Sequence, residues 1–249
     1  MASLRDTRLR MGMPVVLEAA DADATSADLE AVFAYLVSVD EQFSPYKDTS
    51  EVAQMNRYAE HEPSIEMREV LALAERTKKE THGFFNVTKP DGTFDPSGIV
   101  KGWAILKAAA LLKARGRKNF CVDVGGDVQC AGVNAEGKPW TVGVRNPFGD
   151  GIVKVVEPGA RGVATSGSYV RGAHIYNPHA PKVAPDELVS LTVVGPDILE
   201  ADRFATAAFA MGKAGVAFLE SLSGFEAYGI TPEGTAIMTS GFPALTQPC

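Results

Sequence analysis

The sequence predicts an α+β protein with a mixed, largely antiparallel β-sheet and helices packed outside it. Apolar residues recur at helical spacing in three long segments, residues 26–43, 64–82 and 97–115. Short alternating segments between residues 120 and 165 are separated by glycine-rich turns, which favours antiparallel hairpins. A chain of 249 residues can bury a sizeable core, and we expect a single domain over residues 1–249.

The N-terminal part of the sequence is predicted to form a strand followed by a helix. Residues Met11–Glu18 form the first predicted strand, and Pro14 places that strand at a sheet edge or at a bulge. The next helix is expected to be capped by Thr25 or Ser26. Six apolar residues at helical spacing form its buried face: Leu29, Val32, Phe33, Leu36, Val39 and Phe43.

A loop rich in turn-forming residues covers positions 43–51. Ser50 is suited to cap a short helix that runs through Asn56. Tyr46 lies on this loop and has two interpretations, stacking on a planar ligand or serving as an aromatic residue of a cleft rim. A third helix is predicted from Ser64 to His82 and ends at Gly83.

The segment Asp95–Gly102 combines a carboxylate, a tight turn, a helix cap and a lysine within eight residues. A short strand over Phe84–Thr88 is expected to precede it. Ser97 is a predicted N-cap, and Lys101 lies one turn into the helix. A helix N-terminus with a nearby lysine suits a phosphate group, although an ordinary capped surface helix has the same pattern.

The middle of the chain, from residue 120 to residue 165, is predicted to form hairpins. Phe120–Val124 reads as a strand that breaks at Gly125-Gly126-Asp127. Strands Val128–Val133 and Trp140–Arg145 are expected to pair with each other, and a second hairpin is expected over residues 152–165. Leu188–Val194 alternates as a further strand.

Three later features carry possible chemistry. The loop at residues 164–169 has hydroxyl groups and a glycine, which suit an anion weakly. His174 is either a general base or a structural histidine. Asp202 and Thr206 lie four residues apart at the start of a predicted helix, so their oxygens share one face. They suit a hard cation such as Mg²⁺, although Asp202 alone would also cap a helix.

Composition excludes several classes of function. The net charge of −7 argues against a broad nucleic-acid surface. Three cysteines without metal-type spacing indicate neither a disulfide framework nor a zinc site. Rossmann and P-loop glycine fingerprints are absent. If Met1 is the natural start, we expect a cytoplasmic protein, because no apolar leader or long apolar run occurs; an exported protein without its signal would look the same.

The order of these segments resembles the ApbE family of FAD:protein FMN transferases across nearly the whole chain. The most specific similarities are Asp-x-Ser-Gly-Ile-x-Lys-Gly at 95–102 and Gly-Gly-Asp at 125–127. The other matching segments are residues 11–12, 44–47, 50–51, 81–88, 142–147, 164–167, 174–178, 202–206 and 211–212.

The resemblance implies an ApbE-like, T-fold-like architecture with the ligand in a cleft between two lobes. It implies binding of FAD with Mg²⁺ and transfer of FMN to a threonine or serine of an acceptor flavoprotein, with release of AMP. Two alternatives stay open: a Mg²⁺-dependent FAD diphosphatase that yields FMN and AMP, and an FAD-binding protein without catalysis.

The resemblance also assigns roles to individual residues. His174 would be the catalytic base at the reacting phosphate. Residues expected to bind FAD are Met11, Tyr46, Asn86, Asp95, Lys101 and His174. Magnesium ligands would be the side chains of Asp202 and Thr206 and the carbonyls of Gly98 and Ala205. The chain departs from the family pattern in a short segment between Thr88 and Asp95, where many relatives carry a longer insertion, and at Ser168 and Asn177.

Overall fold

An eight-stranded antiparallel sheet organises the chain, and the computed structural model describes residues 3–168 and 175–246. Its strand order is β1-β2-β3-β4-β7-β8-β9-β10, and β5 and β6 pair separately. The strands are β1 Leu4–Arg10, β2 Met13–Ala19, β3 Phe120–Val124, β4 Asp127–Ala131, β5 Val142–Arg145, β6 Ile152–Val156, β7 Gly162–Gly167, β8 Ser190–Gly195, β9 Glu226–Ile230 and β10 Ala236–Met238.

Six helices accompany the strands. They are α1 Ser26–Phe43, α2 Glu51–Arg57, α3 Ile65–Glu80, α4 Ser97–Ala114, α5 Ile198–Ala210 and α6 Lys213–Glu220, followed by a 3₁₀ turn at Phe242–Leu245. Every strand pairing among the described residues is antiparallel. The predicted α+β class with a largely antiparallel sheet is therefore confirmed. Among the helices described, none is both long and apolar enough to span a lipid bilayer.

The sheet has an apolar cluster on each side. The larger cluster joins inward-facing residues of the strands to α1, α4 and α5, and includes Leu17, Phe33 and Ile105. A smaller cluster lies under the β5–β6 ribbon and contains Trp140 and Phe242. Removal of these side chains from water is the main favourable term in folding.

Helix α1 matches its predicted face, since all six apolar residues of that face are at most 2% exposed. Thr25 precedes the helix and its backbone N–H donates to the Asp28 carboxylate at 2.9 Å. Ser50 and Ser64 cap α2 and α3, because each hydroxyl oxygen accepts a backbone N–H three residues later. The predicted caps Thr25 and Ser50 are confirmed, whereas Ser64, predicted as the first residue of the third helix, is its cap.

Two other predicted helix starts are wrong. Ser97 is the first residue of α4, and Pro96 occupies the cap position without a side-chain hydrogen bond. Helix α5 begins at Ile198, where the Asp197 carboxylate accepts the N–H of Glu200 at 2.9 Å. Asp202 consequently lies in the second turn of α5, so it does not cap that helix.

The predicted hairpins of the middle region are also wrong. Strand β4 pairs with β3 and β7, while β5 pairs with β6. Only a bridge between Val133 and Pro139 joins the two segments that were expected to pair. Segments 152–156 and 162–167 belong to different sheets. Local alternation predicts the strands, but their partners depend on long-range packing.

The N-terminal hairpin and the segment after α3 differ from expectation as well. Residues 4–10 form strand β1 although they are charged, because this edge strand has one face towards solvent. Pro14 lies in β2, which is paired on both sides and is not an edge strand. Residues 84–88 form no strand, and Thr88 alone pairs there, in an isolated bridge with Phe94. The backbone of Phe94 in turn exchanges two hydrogen bonds of 2.7 and 2.8 Å with the Asn56 side chain.

We expect Gly162→Ala to destabilise the fold strongly. A Cβ atom on Gly162 would lie 2.1 Å from the backbone nitrogen of Ile198, the first residue of α5. That nitrogen is fixed by a 2.9 Å hydrogen bond to the Gln129 side chain, so it cannot retreat cheaply. The free energy of unfolding is expected to fall by about 3 kcal/mol, measured by urea denaturation. Gly149→Ala is the control, since no atom lies within 4 Å there; an equal loss in both variants would contradict the packing argument.

Candidate functional site

A cleft of about 440 Å³ lies where the N-terminal turns of α4 meet the middle of α5. Strand β7 and the loops 84–95 and 175–178 complete its walls. Six of the residues predicted to bind ligand or metal line it: Asn86, Asp95, Gly98, Lys101, Asp202 and Thr206. The structure thus brings together residues that are about one hundred positions apart in sequence.

Two glycines of α4 allow that helix to approach α5. The backbone N–H of Gly102 donates to Oδ2 of Asp202 at 2.7 Å. A Cβ atom on Gly102 would lie 2.7 Å from the Cβ of Asp202, and one on Gly98 would lie 3.4 Å from Thr206. The Asp202 carboxylate is therefore fixed by the α4 backbone, and no larger residue fits at 102 without movement.

Lys101 lies between two buried carboxylates. Its Nζ atom is 2.5 Å from Asp127 and 3.8 Å from Asp202, and the carboxyl side chains are 2% and 5% exposed. Oδ1 of Asp127 also accepts the backbone N–H of Thr165 at 3.0 Å. One ammonium facing two carboxylates gives this cluster an excess of negative charge.

Burial raises the pKa of Asp202 to about 7, against an ordinary value of 3.8. Lys101 and the N–H of Gly102 lower this pKa, whereas the neighbouring Asp127 raises it further. A buried carboxyl with an elevated pKa is a frequent feature of ligand and metal sites, because a bound cation supplies the missing positive charge.

The donor set near Asp202 fits a hard cation. It combines the Asp202 carboxylate and the Thr206 hydroxyl, both of which are oxygen ligands that suit Mg²⁺. Within residues 3–168 and 175–246, no three histidine, cysteine or acidic side chains converge on one point. The oxygen donors of Asp202 and Thr206 differ from the histidine and thiolate ligands that structural zinc sites use. Ala205 is buried on α5 directly before Thr206 and does not line the cleft.

Asp95 and Lys89 form a second charged pair in the cleft. Their side chains are 2.6 Å apart, and Asp95 also accepts the backbone N–H of Ser97 at 3.0 Å. Burial raises the pKa of Asp95, but Lys89 and Ser97 outweigh that effect, so the pKa lies below its usual value. Asp95 is accordingly ionised at neutral pH.

The Asn86 wall is held by Tyr176, whose hydroxyl donates to the backbone carbonyls of Asn86 and Thr88 at 3.3 and 3.0 Å. Burial raises the pKa of the Tyr176 hydroxyl. Because the hydroxyl stays protonated, it remains a donor to both carbonyls.

Besides Ala205, two predicted site residues, Tyr46 and Met11, do not line the cleft. Tyr46 is 94% exposed and is not among the cleft-lining residues. Met11 packs against the core in a turn, where its neighbour Gly12 reaches the cleft instead. His174 lies outside the described residues. Residues 164–167 of the predicted anion loop 164–169 are in fact part of strand β7, which lines the cleft with Thr165, Ser166 and Gly167.

Sequence reasoning missed Asp127, Lys89 and Arg145 as site residues. Arg145 lines the cleft from β5, together with Gly143 on the same face of that strand. The alternation of apolar and other residues in β5 predicts that Gly143 and Arg145 share one face of the strand. It does not predict that this face lies next to the cleft. Asp127 was noticed as part of Gly-Gly-Asp, and its contact with Lys101 depends on the β3–β4 turn.

The fold and the cleft define an α+β protein with an oxygen-rich ligand site between two helices. A family model described as the ApbE family matches residues 11–89 and 88–229. The chain belongs to the ApbE family. The family predicted from the sequence is therefore confirmed.

Two relatives named FAD:protein FMN transferase match the chain in part. The Vibrio cholerae serotype O1 protein is 33% identical over 134 residues, which are 50% of this chain and 40% of that protein. The Escherichia coli K12 protein is 32% identical over 160 residues, 60% of this chain and 46% of that protein. The matches thus span less than half of these relatives.

The crystal structure of the ApbE protein from Thermotoga maritima MSB8 has the same fold. Its TM-score is 0.88 over 99% of this chain and 100% of that chain, at 20% sequence identity. This likeness supports the shared arrangement of sheet and helices.

We expect Asp202→Asn to remove a pH-dependent loss of stability in the metal-free protein. Between about pH 4 and pH 7 folded Asp202 binds more protons than the unfolded residue does, so rising pH lowers the free energy of unfolding. The asparagine variant lacks this titration and gains stability relative to wild type by up to a few kcal/mol as the pH rises through that range.

The measurement is urea denaturation in a chelating buffer across that pH range. Asp150→Asn is the matched control, because Asp150 is exposed in a surface turn. Parallel stability curves for wild type and Asp202→Asn would show that Asp202 is ionised normally in the fold.

Proposed function

We propose that this protein transfers FMN from FAD to a threonine or serine hydroxyl of an acceptor flavoprotein and releases AMP, with Mg²⁺ required. Membership of the ApbE family and the names of its relatives support this activity. The observation that carries it is the convergence of Gly98, Lys101, Asp202 and Thr206 on one cleft.

The positive groups of the cleft suit a diphosphate. Ser97 and Gly98 line the cleft at the start of α4, where the helix dipole favours an anion. Lys101 and Lys89 are each already next to a carboxylate, so neither brings an uncompensated positive charge. Arg145, which also lines the cleft, supplies one positive charge against the two negative charges of a diphosphate, so a further cation is needed to neutralise it.

Asp202, Thr206 and the carbonyls of Gly98 and Ala205 would hold the Mg²⁺ ion. When bound, the ion neutralises the diphosphate oxygens and stabilises the leaving phosphate. The N–H of Gly102 fixes the Asp202 carboxylate. The positive charge of Lys101 offsets part of the cost of burying the Asp127 and Asp202 carboxylates. These residues position the ligand set before any substrate binds, which lowers the cost of ordering it later.

The acceptor hydroxyl needs a base, since threonine and serine are weak nucleophiles at neutral pH. We assign this role to His174 on its position in the family motif. The imidazole would take the hydroxyl proton as the oxygen attacks the phosphate of FMN, and AMP would leave with the electron pair of the broken bridge. Asp95 and Asn86, which line the cleft, would contact the flavin side of the substrate.

The decisive experiment incubates the protein with FAD, Mg²⁺ and a purified apo acceptor flavoprotein that has a threonine flavinylation site. We expect flavin fluorescence on the acceptor band of a denaturing gel, together with free AMP. Removal of Mg²⁺ with a chelator should abolish both signals, and added Mg²⁺ should restore them.

The same acceptor with its target threonine replaced by alanine is the control for the site of attachment. Free FMN without labelled acceptor would identify a diphosphatase, and unchanged FAD would identify a binding protein. Either result would overturn the proposed transfer.

We expect His174→Ala to bind FAD as wild type does while transfer falls by at least about a hundredfold, because general-base catalysis contributes factors of this size. Binding is measured by quenching of flavin fluorescence and transfer by the gel assay. His179→Ala is the matched control, since the His179 ring lies against Phe84 and donates a hydrogen bond to the His82 carbonyl. Transfer at the wild-type rate in His174→Ala would remove that residue from the mechanism.

A further inference from the structure

A pair of cysteines faces across strands β3 and β4. Cys121 and Cys130 are direct partners in the antiparallel register, and their Sγ atoms are 3.0 Å apart. Both are free thiols in the structure. The residue count and spacing gave no sign of this pairing, because nine positions separate the two cysteines and a turn lies between them.

The register places the two cysteines at a favourable type of site. The Gly125-Gly126 turn is closed by the pair Val124 and Asp127. In a two-residue hairpin the residues of the closing pair exchange backbone hydrogen bonds, and hydrogen-bonded and non-hydrogen-bonded pairs then alternate along the strands. By this count, Cys121 and Cys130 form a pair that exchanges no backbone hydrogen bonds. Side chains at such positions are closest, with Cα atoms about 4.5 Å apart, which lies within the range that disulfides span.

The two thiols differ in accessibility. Cys130 is 2% exposed and belongs to the apolar cluster that contains Trp140 and Val128. Cys121 is partly exposed and lies at the edge of the same cluster. A reagent in solution therefore reaches Cys121 first, and Cys130 reacts through its neighbour.

We propose that Cys121 and Cys130 form a reversible thiol–disulfide site that small-molecule disulfides oxidise. The Cys121 thiolate attacks one sulfur of glutathione disulfide, and one glutathione thiolate leaves. The Cys130 thiolate then attacks the Cys121 sulfur and expels the second glutathione. One S–S bond is broken and one is formed, the two protein thiols lose two electrons and two protons, and glutathione gains both.

The site is separate from the cleft. The cysteine pair lies three residue pairs along the hairpin from the Gly125-Gly126 turn, and neither cysteine lines the cleft. A bond between β3 and β4 joins two strands that are already neighbours, so it requires the sulfur atoms to approach by only about 1 Å. The proposal therefore does not depend on the proposed transfer of FMN.

The test uses the full-length C249S variant, in which Cys121 and Cys130 are the only cysteines. The folded protein is treated with glutathione disulfide and analysed by intact mass and peptide mapping. We expect the loss of two hydrogen atoms, one peptide that links residues 121 and 130, and complete reversal by dithiothreitol. Two thiols that stay free, or two stable glutathione adducts, would overturn the proposal.

Single variants test the order of attack. With C130S in the same background, we expect a persistent glutathione adduct on Cys121, because no second thiol resolves it. With C121S we expect Cys130 to stay unmodified in the folded protein. Rapid modification of Cys130 in C121S would contradict the assigned roles.

The thermal midpoint supplies a second readout. The cross-link restricts the unfolded chain, so the oxidised C249S protein is expected to unfold about 5 °C above the reduced form. The doubly substituted C121S/C130S protein should show no change with oxidant. A midpoint that falls on oxidation would show that the bond distorts the hairpin, and would overturn the proposal.

Discussion

The close approach of α4 to α5 is the constraint on which the cleft depends. It rests on Gly102, whose N–H binds the Asp202 carboxylate and whose missing side chain leaves room for α5. Helix α5 is in turn fixed from its other side by Arg203, a buried residue that pairs with Glu80 of α3 and with Glu200. Helix α5 is therefore held by α4 through a backbone hydrogen bond and by α3 through an ion pair, which gives Asp202 and Thr206 a defined position in the cleft.

Electrostatics determine which ligands this arrangement favours. A carboxylate that is buried beside a second carboxylate is costly, and Lys101 offsets only part of the cost. The fold tolerates the remainder because the apolar clusters on both sides of the sheet stabilise it. The cleft consequently favours a cation together with an anionic ligand, which is the combination that a diphosphate and Mg²⁺ provide.

Much of the fold could be predicted from local sequence, and the candidate site could be predicted only with the family pattern. Helices α1 to α3 follow from side-chain periodicity, and the caps Thr25 and Ser50 mark where the first two begin. Strand partners could not be predicted, because β4 pairs on its second side with β7, which lies beyond the β5–β6 ribbon in sequence. Asp127 was overlooked for the same reason, since its contact with Lys101 joins segments that are distant in sequence.

The Asn56 contact makes one wall of the cleft depend on a helix that does not touch the ligand site. The side-chain amide of Asn56 in α2 donates through its nitrogen to the Phe94 carbonyl and accepts the Phe94 N–H through its oxygen. Phe94 lies next to the short turn that ends at Asp95. The start of α2 is tied through Glu51 to Ser64 and Gln42, which belong to neighbouring parts of the surface. Substitutions at these positions outside the cleft can therefore change the position of the cleft wall near Asp95 without changing any residue that lines the cleft.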